Sequence, residues 1–185
     1  SHNINCFVGN NGSGKTNLLD AIHYLSFTKS FFIKQDSFNI LYNQSFMSIE
    51  GAFDKDSSKD LIQCAVKSGS KKVIRKNKKN YNKLSEHIGL YPLVMVSPTD
   101  SELLIGGSDV RRKYMDSVIS QFDKDYLNSV IHYNKLIAQR NALLKTLKSD
   151  YSSMSLYDEQ LAPLTQTIFE KRKSSGRRSN NWYRR

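Results

Sequence analysis

An α/β fold organised around a phosphate-binding loop is what the 185 residues predict, and three observations carry that prediction. A short apolar run stops at Gly9, the pattern G-x-x-x-x-G-K-[ST] follows without a gap to Thr16, and apolar residues at helical spacing come next. The middle of the chain breaks into short β-branched and aromatic segments separated by turn residues. From Ser108 onward the apolar period is helical. The expected order is strand, glycine loop and helix, then an antiparallel meander, then a helical lobe.

Each element has its own reason. Asn5 to Val8 reads as a buried strand feeding the loop, and Leu18, Leu19, Ile22 and Leu25 give the following helix one buried stripe that ends in the stretch from Ser26 to Ser30. Ser45 to Phe53, Leu61 to Lys67 and Lys71 to Asn77 read as three strands of a meander, divided by DKDSSKD and by Ser68-Gly69-Ser70. Tyr91 to Val96 reads as a further strand halted by Pro98, with Ser97, Thr99 and Asp100 able to cap a short helix through Leu104. Val110, Tyr114, Met115, Val118, Ile119 and Phe122 form the apolar face of one helix. A second helix of about 25 residues carries Tyr126, Leu127, Val130, Ile131, Tyr133, Ile137, Leu144 and Leu147, and is long against a mean of ~11–12. A third, around Leu156 to Lys173, is expected to start just before Pro163, because proline fits a first turn and breaks a helix interior. The organisation expected is an ATPase-like lobe over 1–105, a helical lobe or arm over 106–173, and a tail over 174–185 with no period and one large apolar anchor, Trp182.

Composition narrows the class. Lys and Arg number 28 against 17 Asp and Glu, a formal charge of +11, so an anionic partner is expected. The surplus is local: residues 67–83 hold eight basic residues and no acid, and 171–185 hold seven basic residues and no acid. Cys6 and Cys64 both lie in apolar runs and read as buried thiols rather than a disulfide. No apolar stretch approaches the roughly 20 residues of a membrane span, and the first residues lack the character of a signal peptide, so a cytoplasmic protein is expected.

The loop carries the chemistry. Gly9, Gly12 and Gly14 permit torsions and a close phosphate approach that a Cβ would obstruct, the amides of residues 12 to 16 can wrap a phosphate at a helix N-terminus, and Asn10, Asn11 and Ser13 complete the nucleotide-binding loop. Lys15 supplies a mobile charge for the β- and γ-phosphates, and Thr16 supplies a hydroxyl ligand for Mg²⁺. The implied ligand is a Mg²⁺-bound nucleoside triphosphate, and the loop itself does not choose ATP over GTP. No run of four apolar residues ending in an acid follows the loop, so these residues are expected to bind nucleotide without turning it over. Asp100 is either an acid that reaches the site or a helix cap. In the basic cluster, Lys71, Lys72, Arg75, Lys76, Lys78 and Lys79 are candidate DNA contacts, interleaved with Val73, Ile74 and Tyr81. The histidines lack metal-ligand spacing and take no role.

Three stretches together resemble the bacterial RecF family, relatives of ABC-type ATPases that include SMC proteins. They are NCFVGNNGSGKTNLLDAIHYLSFTKSF at 5–31, YPLVMVSPTDSELLIGGSDVRRKYMDSVISQ at 91–121 and YNKLIAQRNALLK at 133–145. The resemblance runs over roughly residues 3–173. It implies the N-terminal portion of a P-loop ABC-type ATPase head, here partial, with ATP and Mg²⁺ as ligands, Gly9 to Thr16 holding the nucleotide, and no catalytic residue among those present. It further implies ATP-switched homodimerisation in the full-length protein, and binding to gapped DNA or single-strand/double-strand junctions. The setting it implies is recombinational repair, replication restart and the SOS response to DNA damage, alongside other recombination mediators. Where SMC relatives carry a Gln that joins the Mg²⁺ shell, this chain has Ser97-Pro98-Thr99-Asp100. Two rivals are a P-loop kinase acting on a small molecule and the nucleotide-binding subunit of an ABC transporter. A kinase needs an arginine-bearing lid, and a transporter head places its Gln loop sooner after Lys15 than Asp100 stands.

Overall fold

The computed structural model describes residues 4–55, 57–146 and 152–182, which divide into two compact units meeting in sequence between Met95 and Val96. In the first unit α1 (Lys15–Phe27) packs on a sheet of four antiparallel strands in the order β1-β2-β3-β4: β1 (Phe46–Lys55), β2 (Ser58–Lys67), β3 (Val73–Lys76) and β4 (Lys79–Asn80). The expected meander is present, with β4 added beyond the three strands read from the sequence. Its last hairpin turns on Asn77 and Lys78, both left-handed with φ of 50° and 67°. That is the backbone of a two-residue turn matching the twist of the flanking strands.

Period-two alternation sorts the sheet. Met47, Ile49 and Phe53 of β1 face inward opposite Val66, Cys64 and Asp60 of β2, and Ile74 of β3 lies beside Cys64. Tyr24 and Leu25 of α1 close the core with Ile62, Cys64, Val66, Ile74 and Tyr91. Gly51 lets the helix come close: a Cβ there would stand 2.6 Å from Leu25 Cδ1. His87, fully buried, bonds Leu25 O through Nε2 at 2.6 Å and Tyr81 OH through Nδ1 at 3.1 Å, and Ser26 Oγ donates to Tyr91 O at 2.5 Å. The C-terminal end of α1 is thereby tied to the segment after the sheet.

Several expectations are corrected here. Asn5–Val8 and Tyr91–Val96 form no strand, and Phe7 and Val8 are exposed. Apolar content makes a strand only where a neighbour supplies the ladder, and no described strand pairs with either segment. The buried part of α1 is its last turns, His23 to Phe27, rather than a stripe, because the sheet reaches only that end; Leu18, Leu19 and Ile22 are 46%, 44% and 38% exposed. Cys6 is exposed, while Cys64 is buried and its thiol is pushed up to about 12, chiefly by that burial.

In the second unit, a 3-10 turn (Pro98–Ser101) leads into α2 (Glu102–Ile105), followed by α3 (Ser108–Phe122), α4 (Lys124–Thr146) and α5 (Ser152–Trp182). Ile119, Tyr126 and Ile168 form its core with Met115, Val130 and Tyr133 against them. Tyr114 and Phe122, expected on the apolar face, are exposed because the packed side of α3 turns Met115 and Ile119 inward. Leu147 lies outside the described residues. α4 and α5 run antiparallel: Tyr126 meets Arg172 and Arg140 meets Asp158, pairs fourteen residues apart on each helix. Met154, Leu161 and Ile168 are buried on α5 at intervals of seven, the repeat of coiled-coil packing. α5 starts eleven residues before Pro163 rather than beside it. Pro163 removes the amide that would donate to the Glu159 carbonyl, and this packed face carries the helix through. The backbone stays helical past Ser174 to Trp182, and residues 183–185 lie outside the described ones.

Candidate nucleotide-binding site

The loop enters the helix through two left-handed glycines. Gly12 and Gly14 have φ of 82° and 86°, torsions that L side chains rarely adopt, and Gly14 is the N-cap of α1 with no side chain capping it. The first amides of α1 are thus left to a ligand or to solvent. A Cβ on Gly9 would lie 3.0 Å from Ser13 Oγ, a tight approach that glycine spares the loop. Ser13 N donates to Asn10 O at 3.2 Å and Leu18 N to Gly14 O at 3.0 Å. Lys15 arches back across the loop, its Nζ donating to Gly9 O at 2.8 Å and Asn10 O at 2.7 Å. Thr16 is exposed in the first turn. The glycine torsions, the uncapped helix end and the lysine held over the loop all fit a bound phosphate chain.

Beyond the loop, Asp20 fastens the return segment: it accepts from Ser30 Oγ at 2.6 Å and Phe31 N at 2.7 Å, while Ser30 Oγ accepts from Ile33 N at 2.9 Å. A cleft of about 520 Å³ opens between this segment, the first turns of α1 and β1, lined by Thr16, Asn17, Asp20, Tyr24, Phe38 and Asn39 among others. At its base Tyr24 OH donates to Asp36 Oδ1 at 2.5 Å, and Lys72 Nζ donates to Asp36 Oδ2 at 2.7 Å and to Thr28 O. Burial first, and then the bond to Asp36, raise the Tyr24 hydroxyl well above its usual range. His23 stacks on Phe27 at 4.6 Å and bonds Lys29 O through Nδ1 at 3.0 Å; burial lowers its pKa.

The six candidate DNA contacts are split by strand alternation. Lys71, Arg75, Lys78 and Lys79 are exposed, and Arg75 Nε donates to Asn80 Oδ1 at 2.9 Å. Lys72 and Lys76 sit on the other side of β3 and hold carboxylates of the fold. Lys72 pairs with Asp36 at 2.7 Å with only 14% of its side chain exposed, and Lys76 pairs with Asp60 at 2.7 Å. Asp60 also accepts from Tyr91 OH at 2.8 Å and Asn77 Nδ2 at 3.0 Å, and the Lys76 bond leads in holding its carboxyl below the usual range. Asp100 acts as a cap, its Oδ2 accepting from Ser97 N at 2.7 Å. The sequence reading missed Asp20, Asn39, Asp60 and His87. No local pattern marks Asp20, Asp60 or His87, whose partners stand up to 62 residues away, and the Asn39 Nδ2 has no partner among the described residues.

The chain can be set beside known proteins. A family model described as an AAA domain matches residues 1–177. The DNA replication and repair protein RecF of Phocaeicola vulgatus is 50% identical over 174 residues, which cover 93% of this chain and 47% of that protein. RecF of Parabacteroides distasonis is 51% identical over 173 residues, 94% of this chain and 47% of that protein. The chain spans about half the length of the curated relatives it matches. A solved structure described as the recombination mediator protein RecF-ATP in the RecFOR pathway superposes with a TM-score of 0.83 at 32% identity, covering 89% of this chain and 45% of that one. The fold is accordingly that of a partial ATPase head of the RecF kind.

Proposed function

The chain belongs to the AAA domain family, and from that membership, the loop geometry and the likeness to RecF we propose that it is the nucleotide-binding part of an ATP-switched protein of DNA repair and replication. One observation carries the reading: two left-handed glycines deliver an uncapped helix end beneath a lysine whose ammonium spans the loop. Amides of residues 12–16 bind the phosphate chain, Lys15 exchanges its carbonyl partners for β- and γ-phosphate oxygens, and Thr16 offers its hydroxyl to Mg²⁺. When bound, the metal neutralises part of the phosphate charge. The partners in this reading are gapped or junction DNA, a second copy of the full-length protein on ATP, and other recombination mediators, in the cytoplasm.

Lys15→Ala should weaken Mg-ATP binding at least tenfold in calorimetric titration and shift the stability of the exposed loop by no more than about 0.5 kcal/mol. Unchanged affinity with an intact circular dichroism spectrum overturns the assignment. For DNA, replacing Lys71, Lys78 and Lys79 together by Gln should flatten the slope of log K against log salt by ~0.9 per lost duplex contact, alike for unrelated sequences. An unaltered slope returns those lysines to the solvent.

A further inference from the structure

The sheet has two faces, and α1 takes one of them. On the other, the strand register sets Phe46 beside Lys67, Ser48 beside Ala65 and Val73, and Glu50 beside Gln63, Arg75 and Asn80. All of these side chains are exposed except Gln63, which is half-buried. Phe46, a large apolar ring at the end of β1, is 59% exposed. The small Ser48 and Ala65 leave a shallow groove of about 140 Å³ in the middle row, bounded by Glu50, Gln63, Val73 and Arg75. Lys67 stands directly across from Phe46, and Lys71 follows the Ser68-Gly69-Ser70 turn; both are exposed. The carboxylate in these rows, Glu50, accepts a hydrogen bond from Gln63 Nε2, so its charge is partly met.

Charge and shape together describe the occupant. The cations Lys67, Lys71 and Arg75 call for an anionic chain, and an open aromatic ring beside a shallow groove calls for flat rings along that chain. Duplex DNA keeps its base faces stacked inside, so it would use the cations and leave Phe46 and the groove idle. An unpaired strand presents phosphates and base faces at once, and exposed aromatics on an open antiparallel sheet are a known platform for such strands. We propose that this face binds unpaired nucleotides: Phe46 stacks on one base, the groove over Ser48 and Ala65 takes the next, and Lys67, Lys71 and Arg75 hold the phosphates between them. This rests on the reading that the exposed basic side chains meet DNA, and it gives the face the single-stranded side of a gap or junction.

The test follows the fluorescence anisotropy of three labelled probes: an oligothymidylate, an abasic strand of equal length, which keeps the phosphates and has no bases, and a duplex. The wild-type chain should bind the oligothymidylate about tenfold more tightly than the abasic strand, the effect of one stacked base. Phe46→Leu keeps the apolar surface and should lose that preference, Phe46→Tyr should keep it, and both should bind the abasic strand as wild type does. A ratio near one in the wild-type chain overturns the proposal and needs no variant to fold. A ratio that survives in Phe46→Leu overturns it too, and if that variant instead loses self-association in sedimentation, the face belongs to a second copy of the chain. Replacing Lys67, Lys71 and Arg75 together by Gln should flatten the slope of log K against log salt by ~0.7 per lost contact on the single strand. The DNA reading fails separately: if duplex binds with its salt dependence and bases add nothing, this inference alone falls, and if no probe binds the wild-type chain, both fall.

Discussion

The two units solve the same local problem with different cations. In each, a buried tyrosine donates its hydroxyl to an aspartate at 2.5 Å, Tyr24 to Asp36 and Tyr126 to Asp116, and a basic side chain completes the group. In the helical unit the base is Arg172, whose Nε and Nη2 each meet one Asp116 oxygen at 2.8 Å. A planar fork matches a carboxylate presented by a parallel-sided helix pair and fixes α3 against α5. In the loop-bearing unit the base is Lys72, whose ammonium collects Asp36 of the 3-10 turn and, from the end of α1, Thr28 O and, at 3.4 Å, Tyr24 OH. A point charge with three rotatable donors suits an irregular junction. The lesson is that a basic residue in a positive cluster can be part of the fold, and the shape of its charge tells which junction it serves.

Variants can break that comparison at both ends, and the helical unit should respond most. Arg172→Met leaves Asp116 half-buried without its base and should cost about 2–4 kcal/mol in urea unfolding, with Arg172→Lys restoring part. If Arg172→Lys is as stable as wild type, the fork has no special value there. In the other unit Lys72→Met should cost about 1–3 kcal/mol while leaving the salt slope of DNA binding where it was, unlike the exposed lysines. A flattened slope in a stably folded Lys72→Met would mean that this ammonium meets phosphate after all.

The smallest expected effect is a pH dependence that His23 gives the loop-bearing unit. Burial lowers the pKa of His23 from its usual 6.5, against the opposing pull of the Lys29 carbonyl and Asp20. As pH falls from 6.5 toward the lowered folded value, the unfolded chain takes up a proton that the folded chain refuses, so stability drops in that window. Asp60 acts in the other titration range: its depressed value stabilises the fold above the ordinary carboxylate pKa of 3.8, and the contribution is lost as pH falls through the folded value. His23→Gln should remove the loss between pH 7.5 and 5.5, about 1 kcal/mol or less, and leave acid unfolding below pH 4 in place. An identical loss in both proteins assigns it to another group.

What the sequence disclosed follows the range of the forces involved. The loop was legible because its torsions are dictated by glycines at set spacing, and α4 because its apolar period runs through more than twenty residues. The meander was legible from alternation and turn chemistry. Asn5–Val8 and Tyr91–Val96 misled because strand formation depends on a neighbour that composition does not reveal. Pro163 misled because its local cost is outweighed by seven-residue packing along α5. Lys72 and Lys76 could have been separated from Lys71 and Arg75 by counting twos along β3, whereas His87 depends on the Leu25 carbonyl far away in the chain and carries no local signal.

The uneven burial of α1 has a mechanical consequence. Its last turns are clamped by Leu25 over Gly51, by His87 and by Ser26, while its first turns stand clear of the sheet. The phosphate loop stands some ten residues, or ~15 Å, along α1 from these contacts. A helix transmits a tilt along its whole length, so a small rotation at the clamped turns becomes a larger displacement at the loop. Position 51 sits at the clamped end, where a Cβ would stand 2.6 Å from Leu25 Cδ1 and force that side chain, the first link between sheet and helix, to give way.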